Sequence, residues 1–188
     1  MSVLIENLKE AIIGESNAKR KYELYAEKAE EDKLPEISHL FKAISSAEAI
    51  HIKNHIKALS ILTKNKANTE ELVKLNEDFL RNNIQDTKSN LKDVIKGETY
   101  ETKQMYKAFV KNAQKEENEV VELSFMLARK AEKVHANLFK KCLKRLEKNQ
   151  KFDTQKIFVC QICGNVEFEE APLICPLCDH SQNFYKEI

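Results

Sequence analysis

Two pairs of glutamate and histidine have the residue types and spacing of a metal site. Glu48 and His51 are three positions apart, as are Glu132 and His135, so each pair projects from one face of a helix. A single pair of this kind is more often an exposed side-chain contact. Two pairs in equivalent places of a repeat favour a shared metal site, because carboxylate oxygen with imidazole nitrogen suits iron or manganese.

Two further glutamates extend this candidate ligand set. Glu15 and Glu98 each lie one helix before a Glu-x-x-His pair, at matching places in the two repeats. Four antiparallel helices would direct these side chains to one interior point, which is the ligand arrangement of di-iron and di-manganese bundles. Buried together, the carboxylates would repel one another, and two divalent cations would offset most of that cost.

Two residues break the symmetry of the repeat. Glu101 lies three positions after Glu98 on the same helix face, and the first repeat has no equivalent acid, so one metal ion has an additional carboxylate to choose. A solvent-facing glutamate is the alternative. His55 lies one turn beyond His51, and its repeat partner is Phe139, which cannot bind metal. We assign His51 to the metal and His55 to a supporting or structural position.

Four of the five cysteines form a second candidate site. They fall as Cys160-x-x-Cys163 and Cys175-x-x-Cys178, with 11 residues between the pairs. Four thiolates in tetrahedral geometry bind zinc or iron, and the spacing does not separate a zinc ribbon from an iron site. Cys142 has no partner in this pattern, so we expect a buried helical cysteine that packs as a small apolar residue.

Composition and periodicity indicate the elements that position these residues. Glycine and proline number three each, and 31 basic residues balance 30 acidic ones, which favours long amphipathic helices. A basic stripe for nucleic acid is missing, no apolar stretch has the length of a membrane span, and the opening residues do not read as a signal peptide. We therefore expect a cytoplasmic protein that binds neither nucleic acid nor membrane.

Apolar spacing predicts four long helices in a bundle over residues 1–150 and a small metal domain over 151–188. The helices are expected at 3–31, from Pro35 to about 63, at 89–115 and at 117–149. Matching motifs recur at an offset of 83 or 84 residues. Two such hairpins joined by the long connection 64–88, with a weak helical patch near 72–80, make a ferritin-like bundle with a crossover. A short strand is expected at 156–160.

These motifs together resemble the rubrerythrin family. The resemblance is carried by Gly14-Glu15-Ser16, Glu48-x-x-His51, Gly97-Glu98-x-x-Glu101 and Glu132-x-x-His135 along the whole bundle, followed by cysteine knuckles that look like rubredoxin. Asp179 stands where rubredoxins usually have glycine, and Asp tolerates the left-handed conformation. The resemblance implies a mainly α protein with a rubredoxin-like four-cysteine domain, two iron ions in the bundle and one iron ion at the cysteines, with zinc as the alternative there.

The same resemblance implies roles for individual residues. Glu48 and Glu132 would bridge the two metal ions, Glu15 would serve one ion, and Glu98 with His135 would serve the other. Glu101 would hold the first ion in the oxidised state and His51 in the reduced state. Tyr22 and Tyr106 stand where the family has tyrosines near the site; packing in the aromatic core is the alternative role for both.

The function implied is a peroxidase that reduces hydrogen peroxide to water in oxidative-stress defence. Electrons would come from NAD(P)H through a separate reductase or rubredoxin, because the chain has no glycine-rich nucleotide loop. A homodimer or larger homo-oligomer is implied, with the cysteine domain of one chain serving the bundle of another. Ferritin-type iron oxidation and storage, and a structural bundle with a zinc ribbon, are the alternatives.

Overall fold

The described chain consists of a helical bundle and a small three-stranded sheet. The structure is a computed structural model and describes residues 2–152 and 155–188. Within those two ranges, none of the helices combines the length and the apolar character that crossing a bilayer requires.

Two long helices form the first half of the bundle. Helix α1 spans Val3–Glu31 and begins where the Ser2 side chain accepts a hydrogen bond from the Leu4 N–H. Helix α2 spans Pro35–Thr63 and has proline in its first turn, where the missing N–H removes no helical hydrogen bond. The turn between them places Lys33 at a positive φ of 61°. Each helix has 29 residues, and both agree with the sequence prediction.

The connection between the two hairpins contains two short helices, α3 (Thr69–Leu72) and α4 (Glu77–Asn82). It contacts α1 through an ion pair, in which Nε of the Arg20 guanidinium lies 2.9 Å from a Glu77 carboxylate oxygen. The helical patch predicted near 72–80 is therefore two separate short helices.

The third long helix contains an interruption that the sequence does not predict. We expected one helix over 89–115, whereas α5 (Thr87–Tyr100) and α6 (Tyr106–Lys115) flank a π-helical turn at Glu101–Met105. The Tyr106 N–H bonds the carbonyl of Glu101, five residues earlier, which is the π-helical pattern. Such wide turns inside α-helices are frequent at functional sites.

The fourth long helix leads to the sheet. Helix α7 spans Glu119–Glu147. Strands β1 (Ile157–Cys160), β2 (Val166–Phe168) and β3 (Tyr185–Glu187) form an antiparallel sheet in the order β2-β1-β3. The predicted strand at 156–160 is thus confirmed within one residue. The boundary near residue 150 stays a prediction.

The core of the bundle divides into two apolar clusters. One contains Tyr22, Phe41 and Phe139, and the sheet residues Ile157 and Val159 pack into it. The other is built around buried residues of all four long helical segments: Leu8, Leu59, Tyr106 and Phe125. One tyrosine of each cluster hydrogen-bonds a buried glutamate, so the apolar clusters enclose the polar residues described next.

Candidate metal centres

Six ionisable side chains meet in the interior of the bundle. Each is at most 1% exposed, which is rare for carboxylates that lack a charged partner or a metal. They are Glu15 from α1, Glu48 and His51 from α2, Glu98 from α5, and Glu132 and His135 from α7. The structure therefore brings together six of the seven residues predicted for this site.

The two histidines define two overlapping groups. His51 Nδ1 lies 2.7 Å from Glu132 Oε1, 2.9 Å from Glu48 Oε2 and 3.6 Å from Glu15 Oε1. His135 Nδ1 lies 2.8 Å from Glu132 Oε2, 3.6 Å from Glu48 Oε1 and 3.7 Å from Glu98 Oε2. Glu48 and Glu132 therefore each direct one oxygen to one histidine and the other oxygen to the second.

The far side of each imidazole fixes its tautomer. His51 Nε2 is 3.1 Å from the Cys163 carbonyl, and His135 Nε2 is 2.9 Å from the Gly164 carbonyl. A carbonyl oxygen only accepts, so both Nε2 atoms carry the proton. A neutral imidazole then has its lone pair on Nδ1, the atom that faces the carboxylates, which is the arrangement of a metal-binding histidine.

Several atoms of this cluster make no hydrogen bond within the described part of the chain. They are Glu15 Oε2, Glu48 Oε1, Glu48 Oε2, Glu98 Oε2, Glu132 Oε1 and His51 Nδ1. Buried polar atoms without a partner are costly, and lone pairs that converge on one point are satisfied by a cation. The residues form two groups of four; within each group the four ligand atoms lie within 4.8 Å of one another, and both groups include Glu48 and Glu132. The residues fit a two-metal site.

Proton affinities lead to the same conclusion. Burial, together with repulsion from Glu132 and Glu48, raises the pKa of Glu15 and Glu98 well above the usual range. Burial alone lowers the pKa of a histidine, but attraction to Glu132 outweighs it and raises the pKa of His135 to about 9. The chain by itself therefore holds protons here at neutral pH, and bound cations displace them.

The predicted tyrosines both contact the cluster. The Tyr22 hydroxyl donates to Glu98 Oε1 at 2.7 Å, and the Tyr106 hydroxyl donates to Glu15 Oε1. Each tyrosine also packs in the aromatic core, as the alternative role required, and a part in the chemistry of the site stays a prediction.

Glu101 is close to the cluster but outside both four-residue groups. It begins the π-helical turn, where the backbone is wider than in an α-helix. Burial, with repulsion from Glu132 and Glu48, raises its pKa to about 8. Its predicted place in the ligand set stays a prediction.

The four paired cysteines form the second cluster, with no disulfide among them. Cys160 Sγ lies 3.7 Å from Cys178 Sγ, and Cys163 Sγ lies 3.6 Å from Cys175 Sγ. A tetrahedron with metal–sulfur bonds of about 2.3 Å has edges of about 3.8 Å, so one ion fits between them. The neighbouring Cys163 thiol lowers the pKa of Cys160 to about 5, which favours the thiolate that a metal needs.

Backbone conformation at the two knuckles agrees with the sequence. Gly164 and Asp179, each one residue after the second cysteine of a pair, have positive φ of 77° and 59°. The expected tolerance of Asp179 for the left-handed region is therefore confirmed. Cys142 is buried and free, also as predicted.

The cysteine module docks on the bundle of its own chain. Besides the two histidine contacts, Asn54 Nδ2 donates to the Ile162 carbonyl at 2.8 Å. The described chain makes these contacts within itself, and the contact between two chains that the resemblance implied stays a prediction. Neither Asn54 nor the close approach of Gly164 was predicted, because a single polar residue on a helix and a glycine in a knuckle carry no signal about docking.

Comparison with known proteins identifies this arrangement. The family model of rubrerythrin matches residues 6–143, which include all six buried ligand candidates. The chain belongs to the rubrerythrin family. A second model, the rubredoxin-like domain of rubrerythrin, matches residues 158–186 and includes the four cysteines. The ferritin-like fold and rubredoxin-like module expected from the sequence are confirmed.

Relatives are similar along nearly the whole chain. Rubrerythrin-2 of Clostridium acetobutylicum is 34% identical over 171 residues, which cover 91% of this chain and 89% of the relative. Nigerythrin of Nitratidesulfovibrio vulgaris is 32% identical over 174 residues, covering 93% and 81%. A structure of fully reduced, all-ferrous nigerythrin superposes with a TM-score of 0.86 at 29% identity, covering 100% of this chain and 88% of that one. The bundle site is a rubrerythrin di-iron site, and the four-cysteine site is the rubredoxin-like iron site.

Proposed function

We propose that this rubrerythrin reduces hydrogen peroxide to water, using electrons that pass from the four-cysteine iron to the di-iron site. One observation carries the proposal: His51 and His135 both bond backbone carbonyls of the cysteine knuckle. Cys163 is at once a thiolate ligand candidate and the residue whose carbonyl accepts from His51. Its few covalent bonds and one hydrogen bond connect the two centres directly.

We assign the ligands from the geometry of the two groups. Glu48 and Glu132 would bridge the metal ions, since each directs one oxygen toward each histidine. Glu15 serves the ion on the His51 side, and Glu98 with His135 serves the other. Glu101 would be the exchangeable ligand of the ion on the His51 side, alternating with His51 as the oxidation state changes. Its position on a π-helical turn supports such a movement, because that turn is less tightly wound.

The reaction takes two electrons and two protons for each peroxide converted to two water molecules. Two bound ferrous ions would supply both electrons together, which would allow cleavage of the O–O bond without release of a radical. The protein holds protons beside the site at Tyr22 and Tyr106, whose hydroxyls donate to the ligands Glu98 and Glu15. Aromatic side chains of the two apolar clusters limit access of water.

Rapid mixing of the anaerobically reduced protein with peroxide tests the proposal. We expect both centres to reoxidise rapidly and in proportion to the peroxide added. In the Cys175→Ser variant, which retains every bundle residue, the di-iron site should still reoxidise once but should not turn over. A slow or absent reaction of the intact protein contradicts the proposal. About three iron ions per chain fit the relay enzyme, and many more fit the storage alternative.

The partners follow from the same scheme. We propose that the electron donor is a reductase or rubredoxin that receives electrons from NAD(P)H. We also propose that the protein works in the cytoplasm as a homodimer or larger homo-oligomer. Size-exclusion chromatography with light scattering measures the oligomer, and a monomer at micromolar concentration would contradict that part.

A further inference from the structure

A chain of hydrogen bonds runs from one ligand candidate toward helix α7. The Tyr106 hydroxyl donates to Glu15, the Tyr106 oxygen lies 2.9 Å from His55 Nε2, and His55 Nδ1 lies 2.7 Å from the Ser124 hydroxyl. His55 and Tyr106 are 0% exposed, and Ser124 is 6% exposed. Within the described part of the chain, Ser124 and His55 make no hydrogen bond to the six ligand candidates, so the hydrogen-bonded route from them to the cluster passes through Tyr106.

The chemistry of the groups fixes the direction of every bond in this chain. The Glu15 carboxylate of a metal-bound site only accepts, so Tyr106 is the donor there. Having used its one proton, the Tyr106 oxygen accepts from His55 Nε2–H. A neutral imidazole then has a lone pair on Nδ1, which accepts from Ser124. Burial, with repulsion from His51, lowers the pKa of His55 to about 3, consistent with a neutral ring.

The other half of the site has no such chain. Tyr22 is the repeat equivalent of Tyr106, 84 positions earlier, and it donates to Glu98. At the positions equivalent to His55 and Ser124 the chain has Phe139 and Leu40. The Tyr22 ring packs edge-on against Phe139 with ring centroids 5.8 Å apart. The two halves therefore share the tyrosine and the carboxylate but differ in the residues behind the tyrosine.

We propose that His55 and Ser124 are positioning residues that hold the Tyr106 hydroxyl as a donor to Glu15 and so make the two metal positions unequal. The inference rests on the proposed role of Glu15 as a ligand. Hydrogen bonds in series strengthen one another, so a donor to the Tyr106 oxygen strengthens the bond from Tyr106 to Glu15. Outer residues of this kind orient a ligand and tune the metal, and losing one typically costs about 10- to 100-fold in affinity.

Binding of cobalt(II), measured against a competing chelator, tests this without reference to catalysis. Thiolate-bound and carboxylate-bound cobalt have different visible absorption spectra, so occupancy of the bundle site is measured separately from occupancy of the cysteine site. We expect His55→Phe to weaken one of the two bundle ions by about 10-fold. Phenylalanine is the natural residue at the equivalent position 139, so the replacement has a packing precedent in this fold. Ser124→Ala should weaken the same ion, whereas the control Ser45→Ala, at a similarly buried serine that bonds a backbone carbonyl, should leave both bundle ions unchanged.

Two further variants separate positioning from packing. His55→Gln retains one acceptor and one donor and should bind cobalt within about threefold of the unmodified protein. In a Tyr106→Phe background, His55→Phe should add less than about twofold, because an effect that passes through Tyr106 disappears with its hydroxyl. Equal losses in both backgrounds, or a His55→Gln variant as weak as His55→Phe, would overturn the proposal.

The ring proton of His55 gives a direct readout. In protein loaded with zinc at both sites, which is diamagnetic, ¹⁵N NMR should show the Nε2–H tautomer of His55. An Nδ1–H tautomer would overturn the assigned direction. The Glu15→Ala variant distinguishes failure of the positioning role from failure of the proposed ligand role. If Glu15→Ala leaves the cobalt affinity unchanged, Glu15 is not a ligand. If Glu15→Ala weakens cobalt binding but His55→Phe does not, only the positioning role is refuted.

Discussion

Replacing Gly164 by alanine should uncouple the cysteine module from the bundle. A Cβ at this position would lie 2.6 Å from His51 Nε2 and 3.2 Å from the Ala47 carbonyl oxygen. The backbone there has a positive φ of 77°, which costs a residue with a side chain about 1–2 kcal/mol. His51 cannot retreat without leaving the carboxylates, so the knuckle must move away from the helix.

The expected loss follows from the contacts at stake. Moving the knuckle breaks the bonds of His51 and His135 to the Cys163 and Gly164 carbonyls, each of which contributes about 0.5–1.5 kcal/mol. Together with the backbone term, Gly164→Ala should lower the free energy of unfolding by roughly 2–5 kcal/mol. Urea denaturation of the metal-loaded protein measures this change. Electron exchange between the two centres should slow at least tenfold. Its rate is measured by rapid mixing after reduction of the cysteine iron.

Gly14→Ala is the matched control. It makes the same chemical change inside α1, where an added Cβ meets nothing within 4 Å, so it should stabilise the helix by about 0.5–1 kcal/mol. Both replacements restrict the unfolded chain equally, so their difference reports on the folded state alone. Equal effects of the two replacements, or an unstable Gly164→Ala variant with unchanged electron exchange, would refute the reasoning.

Three further predictions follow from groups described above. After chelation of the metals, the free energy of unfolding should fall by roughly 2–4 kcal/mol between pH 6.5 and 8. The reason is that folded His135 and Glu101, with pKa values of about 9 and 8, retain protons that the unfolded chain releases over this range. Urea denaturation at both pH values measures this change, and a stability that stays flat or rises contradicts it. Cys175→Ser should reduce iron from about three ions to two per chain by elemental analysis, while an unchanged iron count would exclude Cys175 as a ligand. Arg20→Ala should speed proteolysis in the crossover near Glu77 without loss of bundle metal, and an unchanged cleavage rate would show that this ion pair does not fasten the segment.

The sequence was sufficient where its pattern repeats. The recurrence of Glu15, Glu48 and His51 as Glu98, Glu132 and His135 identified both the bundle and the buried cluster, because a ligand set needs fixed spacing on fixed helix faces. Cysteine spacing identified the second cluster for the same reason. The start of α2 agreed because Pro35 is a strong start signal, and the other predicted ends of the four long helices agreed within two residues.

Features that depend on tertiary contact were not predictable. The offset between the repeats changes from 83 residues at Glu15 and Glu98 to 84 at Tyr22 and Tyr106, which reveals one additional residue, but the offset does not say that this residue forms the π-helical turn at Glu101–Met105 and not a loop. The docking of the cysteine module depends on Asn54 and Gly164, which meet only after both parts have folded. His55 was assigned to a supporting position from its repeat partner alone, and its bonds to Tyr106 and Ser124 required the structure.

The imidazole contacts with the knuckle have a consequence for how the protein matures. Docking selects the Nε2–H tautomer of His51 and His135, and this is the form whose Nδ1 binds a cation. An ion at the cysteines orders the knuckle that does this selecting, so filling either site raises the affinity of the other. Such coupling is reciprocal by thermodynamic necessity. Under iron scarcity, iron should therefore be shared less evenly between chains than independent sites would share it, because a chain that has filled one site binds the next ion more tightly.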